Sequence, residues 1–202
     1  MRESGATDLG VLLMAVRAGL AAPASLYLVG GTSHLAQGWR GRVPHLELAG
    51  EPGAPESLEA AVREAAGSQG VGVVWESPAD VVPLPDGWQE RCRAVSPDVV
   101  DQSGMLRVAH FDPYSVVLRL VARGDEPDYV TALEYVRRGW VEPGRLEALH
   151  GQVVPRFTFR TLAQDPAEFR RKFSGLRQLV ARDRAAGTPA EHVMADTGMS
   201  WL

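Results

Sequence analysis

The sequence predicts an α/β (α+β) fold, with strands and helices mixed up to residue 111 and helices alone from residue 112 onward. Three observations carry this assignment. Short apolar runs of strand length recur at 25–29, 44–49, 71–76, 92–95 and 105–111. One helical pattern, "SLEAAVREAAG", separates the second run from the third and makes the pair a candidate βαβ unit. From Asp112 on, a capping residue followed by proline opens successive helical stretches, at Asp112-Pro113, Glu142-Pro143, Asp165-Pro166 and Thr188-Pro189.

Taken in order, residues 8–21 read as an amphipathic helix capped by Thr7. Leu26 to Val29 belong to a short buried strand that runs into Gly30-Gly31, then Thr32-Ser33 and a brief helix. "HLELA" is a second strand. The helix after it starts at Ser57 and stops at Gly67. "ADVVPLPDGW" reads as an ordered loop, because proline lacks the donor that a central strand needs. Gly124, Gly139 and Gly187 sit where helices of the second half should stop. The expected organisation is an α/β core over 1–111 and a helical annex packed on it over 112–202.

Bulk properties exclude several classes. The chain has 202 residues, net charge −4 and a pI of about 5.7, which argues against a general nucleic-acid grip and leaves room only for a local basic patch. The single cysteine, Cys92, rules out an internal disulfide and reads as a small buried hydrophobe. The apolar N-terminal stretch is interrupted by Arg17 and preceded by Glu3 and Asp8, unlike a signal peptide. No segment has a membrane span's length of apolar residues, so no membrane partner and a cytoplasmic location are expected.

The chemistry concentrates in "LYLVGGTSHLAQGWRGRVPHLELAG", residues 26–50. A double glycine at a strand end permits a sharp turn and a close approach. Amides at the start of the following helix suit phosphate oxygens, and Thr32 and Ser33 add hydroxyls. On the next strand, His45 and Glu47 share one face while Leu46 and Leu48 take the other.

"GGTSHLAQGWRGRVPHLEL" resembles the start of the nucleotidyltransferase superfamily, the DNA polymerase beta-like fold with a mixed sheet and flanking helices. It is most similar to the small bacterial branch related to abortive-infection and toxin–antitoxin nucleotidyltransferases. "ESPADVVPLPDGW" (76–88), "RVAHFDPYSVVLRLVARGDEPDYVTALEYVRRGWV" (107–141) and "FRRKFSGL" extend the resemblance over most of the chain. It implies a triphosphate held by Gly30, Gly31, Thr32 and Ser33, and two divalent ions held by paired acids. It also implies a basic residue on the first later helix, here Arg119 where lysine is usual, and an aspartate leading the next, Asp128. Nucleoside triphosphate and Mg²⁺ or Mn²⁺ are the implied cofactors.

The departures fall on the metal ligands. His45 and Glu47 stand where the family has paired aspartates, Val74 stands at the third carboxylate, and Val43 replaces the threonine before the pair. Imidazole suits Mg²⁺ poorly, so any ion is expected to be held weakly. One reading is a degenerate site that is weakly active or inactive and binds a nucleotide or a partner protein. The alternative is a divergent enzyme that transfers a nucleotide to an RNA or protein acceptor. In that reading Glu47, Glu76 and Asp80 hold metal and Arg119 neutralises phosphate charge. A third reading is one half of a toxin–antitoxin pair, with its partner encoded nearby. His34, His110, His150 and His192 read as structural, and the tryptophans as core or loop anchors. Trp75, on the strand bordering the site, could stack on a base. "FRRKF" reads as a solvated helix face.

Overall fold

The computed structural model describes residues 3–52, 56–96, 104–157 and 165–187. Its sheet is mixed, with strand order β3-β2-β1-β5-β4. The strands are β1 (Ala24–Leu28), β2 (Leu46–Gly50), β3 (Val73–Glu76), β4 (Arg93–Ala94) and β5 (Leu106–His110), each overlapping an expected run. β1 lies at the centre, antiparallel to β2 and parallel to β5. β2 and β3 are parallel and joined by α3 (Glu56–Gln69), the βαβ unit the sequence suggests.

The two-residue period of the strands divides the interior into two cores. Leu26, Leu28, Leu46, Leu48, Leu106 and Val108 pack with Leu9, Leu12, Leu13 and Val16 of α1 (Ala6–Gly19) and with Leu58 and Val62 of α3. Tyr27, Val29, Ala49 and Ala109 face the other way, into a core shared with the later helices. Those helices are α6 (Pro113–Arg123), α7 (Glu126–Arg137), α8 (Pro143–Val153) and α9 (Pro166–Gly187), with short helices α2 (Gly30–Ala36), α4 (Pro78–Val81) and α5 (Trp88–Arg91) before them. Residue 112 therefore marks a change of element type, and the core runs across it.

Three helix starts follow the expected chemistry. The Asp112 carboxylate accepts from the amides of Tyr114 (3.2 Å) and Ser115 (3.3 Å), and Asp165 from Ala167 (2.9 Å). Glu142, one methylene longer, still reaches the amides of Gly144 (2.7 Å) and Arg145 (2.5 Å). Gly124 closes α6 in the left-handed region, φ 78°. Over the same turn Lys172 Nζ donates to the carbonyls of Ala122 (2.8 Å) and Arg123 (2.9 Å), satisfying acceptors at the helix end. Phe169 and Phe173 are buried. "FRRKF" thus combines two core anchors with a cap for a neighbouring helix.

Four expectations need correction. α1 spans Ala6–Gly19, and its start is held by Asp8, whose carboxylate accepts from the Gly5 amide (2.8 Å), rather than by Thr7. α3 begins before Ser57 and runs through Gly67 to Gln69, because helix propensity around one exposed glycine outweighs its cost of about 1 kcal/mol. "ADVVPLPDGW" opens in α4 and ends at the start of α5. Trp75 sits on the α1–α3 side of β3, away from the face that carries Glu47. Thr188-Pro189, His192 and Trp201 lie outside the described residues. Among those described, no helix is long and apolar enough to cross a membrane.

Candidate functional site

β2 and β3 present their polar side chains on one face. Glu47 and Val74 are direct Cα partners across the two strands, and Glu76 lies two residues further along β3. Leu46 and Leu48 are fully buried on the opposite face. His45 Nε2 lies 3.9 Å from Glu47 Oε1. This strand face, the first turn of α2 and the α6–α7 corner border a cleft of about 390 Å³. Gly31, Arg40, His45, Glu47, Val74, Glu76, Arg123, Asp125, Asp128 and Thr131 line it.

The glycine turn fixes where Glu47 goes. Gly30 has φ 49°, a conformation glycine adopts without strain. A Cβ on it would stand 2.3 Å from Glu47 Oε2. The Gly31 amide donates to that oxygen (2.7 Å), and the Glu47 amide donates to Thr32 Oγ1 (2.6 Å). The amides of Thr32 and Ser33 both donate to the Val29 carbonyl, and Ser33 Oγ donates to the Leu28 carbonyl (2.9 Å). The Gly30 carbonyl accepts from Tyr135 Oη (3.4 Å). Gly31 alone of the four expected phosphate-binding residues lines the cleft, with its amide already occupied. Thr32 and Ser33 are buried and hold α2 to the sheet.

The charged groups across the cleft are also paired. Arg119 forms an ion pair with Glu76. Arg123 Nη1 reaches the same carboxylate (3.3 Å) and grips Asp128 with Nε (3.1 Å) and Nη2 (2.7 Å). Burial and the neighbouring Arg123 push the Arg119 guanidinium down to about 10. Arg119, expected to neutralise phosphate charge, instead neutralises Glu76, and Asp128 holds Arg123. Asp80 is exposed on α4 and does not line the cleft. Arg40 Nη2 donates to Thr131 Oγ1 (3.1 Å), and Arg40 makes no ion pair with a carboxylate among the described residues. Cys92 is half-buried, and burial raises its thiol to about 11.

No family model, curated protein or solved structure matches the chain. The site therefore stands on its geometry.

Sequence reasoning missed Arg40, Arg123, Thr131 and Tyr135. Arg119 and Arg123 are four apart on α6 and so share a helix face, a spacing that could have flagged the second arginine. Tyr135 arrives from a distant helix and carries no local signal, and Arg40 lies within the 26–50 stretch but outside its glycine and strand patterns.

Beneath the turn, His34 is fully buried against Trp39 and Tyr135, and among the described residues neither ring nitrogen has a hydrogen-bond partner. Burial first, then Arg40 and Arg138, hold it down to about 3, and burial with Arg93 holds His110 down to about 4. The unfolded imidazole titrates near about 6.5, so acid adds protons to the unfolded chain first. Stability is therefore retained above pH 6.5 and lost as pH falls toward the folded values. Urea denaturation should show His34→Phe losing stability less steeply than wild type between about pH 6 and 4, by about 1.4 kcal/mol per pH unit. Identical slopes would mean that His34 takes up its proton in the folded state.

Proposed function

We propose that the chain adopts the nucleotidyltransferase fold and that its cleft binds a nucleotide without metal-dependent transfer. One observation carries this reading: of the three acids expected to hold metal, the two that line the cleft are matched to protein donors, and the third, Asp80, lies outside it. Glu47 accepts from the Gly31 amide, and Glu76 is shared by Arg119 and Arg123. The position directly opposite Glu47 is Val74, and the position two before it is His45. Mg²⁺ demands several oxygen ligands in octahedral geometry, and this donor set does not fit it. A phosphate needs a cation instead, and Arg40 offers a guanidinium at the cleft wall. The cleft volume of about 390 Å³ lies within the range of small-ligand sites.

Calorimetry with each of the common nucleoside triphosphates tests the reading. At least one should bind with an affinity unaltered by exchanging Mg²⁺ for EDTA, and Arg40→Ala should weaken it by about tenfold, the loss of a charge-assisted hydrogen bond. Failure of every nucleotide to bind would refute the proposal and favour a protein partner. Mg²⁺-dependent release of pyrophosphate, abolished in Glu47→Gln, would establish the transferase alternative. The fold is tested separately by placing aspartate at positions 45, 47 and 74 together. The register of Glu47 and Val74 brings three carboxylates to one place, so millimolar Mg²⁺ should raise the variant's melting temperature and leave wild type unchanged. No response in either protein would rule out the family spacing.

A further inference from the structure

Two turns carry tryptophan beneath arginine. Gly38 (φ 68°) and Gly139 (φ 69°) each take the left-handed conformation that reverses the chain, and Trp39 and Trp140 follow them directly. The two indoles meet edge to face at 4.8 Å. The Arg93 guanidinium, from the edge strand β4, lies 4.6 Å from the centre of the Trp140 ring. The Arg138 guanidinium, from the end of α7, lies 5.6 Å from that of Trp39. Three segments distant in sequence thus build one ridge. Both indoles are partly exposed, and Arg93 and Arg138 are exposed.

The charge of this ridge runs against that of the chain, which is −4. Among the described residues Arg93 makes no ion pair, and Arg138 pairs only with Glu134 on its own helix (2.7 Å). Arg40 and Arg42 follow Trp39 in the same loop, and Arg42 is exposed. A guanidinium lying on an indole buries one face and leaves its other face and its N–H edge to solvent. Flat cationic faces suit bases, and the N–H edges suit phosphates.

We propose that this Arg–Trp ridge binds single-stranded nucleic acid, with bases stacking on the outer guanidinium planes and phosphates taken by the arginine edges. An acidic peptide would satisfy the charge and leave the planar faces unused. The ridge meets the nucleotide cleft through Arg40 and does not depend on that cleft being occupied.

Fluorescence anisotropy with a short labelled strand, as RNA and as DNA, tests the proposal. Both strands should bind, and for three phosphate contacts the affinity should fall roughly 20-fold from about 50 to about 200 mM salt. Arg93→Ala combined with Arg138→Ala should weaken binding at least about tenfold at an unchanged melting temperature, since both side chains are exposed. The same variant should leave nucleotide affinity at the cleft as in wild type, which separates this inference from the preceding one. Three results would overturn it: equal binding of a blunt duplex, equal competition by polyglutamate at matched charge, or a double variant that binds like wild type. Absence of strand binding by the wild-type protein would also overturn it and leave the cleft proposal standing.

Discussion

Glu76→Ala is expected to lower the melting temperature by about 10 °C, the largest effect of any single change at the cleft. The physical reason lies in the unequal positions of its two partners. Arg123 keeps Asp128 when Glu76 is gone. Arg119 keeps no ion-pair partner and only the longer-range attraction of Glu47 and Asp128: its side chain is 12% exposed, and its Nε and Nη1 lack hydrogen-bond partners among the described residues even with Glu76 present. Removing one partner of a buried ion pair leaves the other charge uncompensated and costs about 3–5 kcal/mol. For a chain of this size each kcal/mol corresponds to about 2–4 °C. Replacing both partners, Glu76→Leu with Arg119→Leu, should recover most of the loss, because neither charge then remains buried. Thermal melts of the three proteins decide the matter. A double variant less stable than Glu76→Ala would mean that Arg119 is stabilised by groups other than Glu76.

Gly30→Ala is expected to cost about 3 kcal/mol. Part of this is conformational, about 1–2 kcal/mol for placing an L side chain at φ 49°. The rest comes from Glu47. The new methyl would lie 2.3 Å from Oε2, so the carboxylate must swing away and give up the Gly31 amide. A charged hydrogen bond of this kind contributes about 1.5–3 kcal/mol. In a Glu47→Ala background only the conformational part remains, so the glycine substitution should cost about half as much there. A urea-denaturation cycle measures the difference as a coupling energy. Equal costs in the two backgrounds would show that the turn and the carboxylate are independent.

The architecture was largely legible in the chain because it rests on local chemistry. The period of "HLEL" places Leu46 and Leu48 in the core and Glu47 at the cleft, and Asp112-Pro113 fixes the start of α6. Gly30-Gly31 correctly marked a close approach, although the group that approaches is the protein's own Glu47. Ion pairing was not legible. Nothing in the neighbourhood of Glu76 says that Arg119, far along the chain, will neutralise it. The N-terminal boundaries of α1 and α3 were misjudged for a related reason: Thr7 and Ser57 have the right chemistry for caps, but whether a cap is used depends on where packing begins the helix.

The position of β1 at the centre of the sheet bears on how the protein is made. One neighbour, β2, is close in sequence, while the other is remote: Ala24 pairs with Leu106, 82 residues later. A ribosome adding about 5–20 residues per second needs roughly 4–16 s to supply that second edge. During this interval the nascent chain can assemble β1, β2 and β3 with α1 and α3, but the β5 side of β1 has unpaired backbone groups flanked by Leu26 and Leu28. An open apolar edge of this kind recruits other strands. Chains ending between β3 and β5 should therefore self-associate through this edge, and passage beyond His110 is the step at which it can be closed.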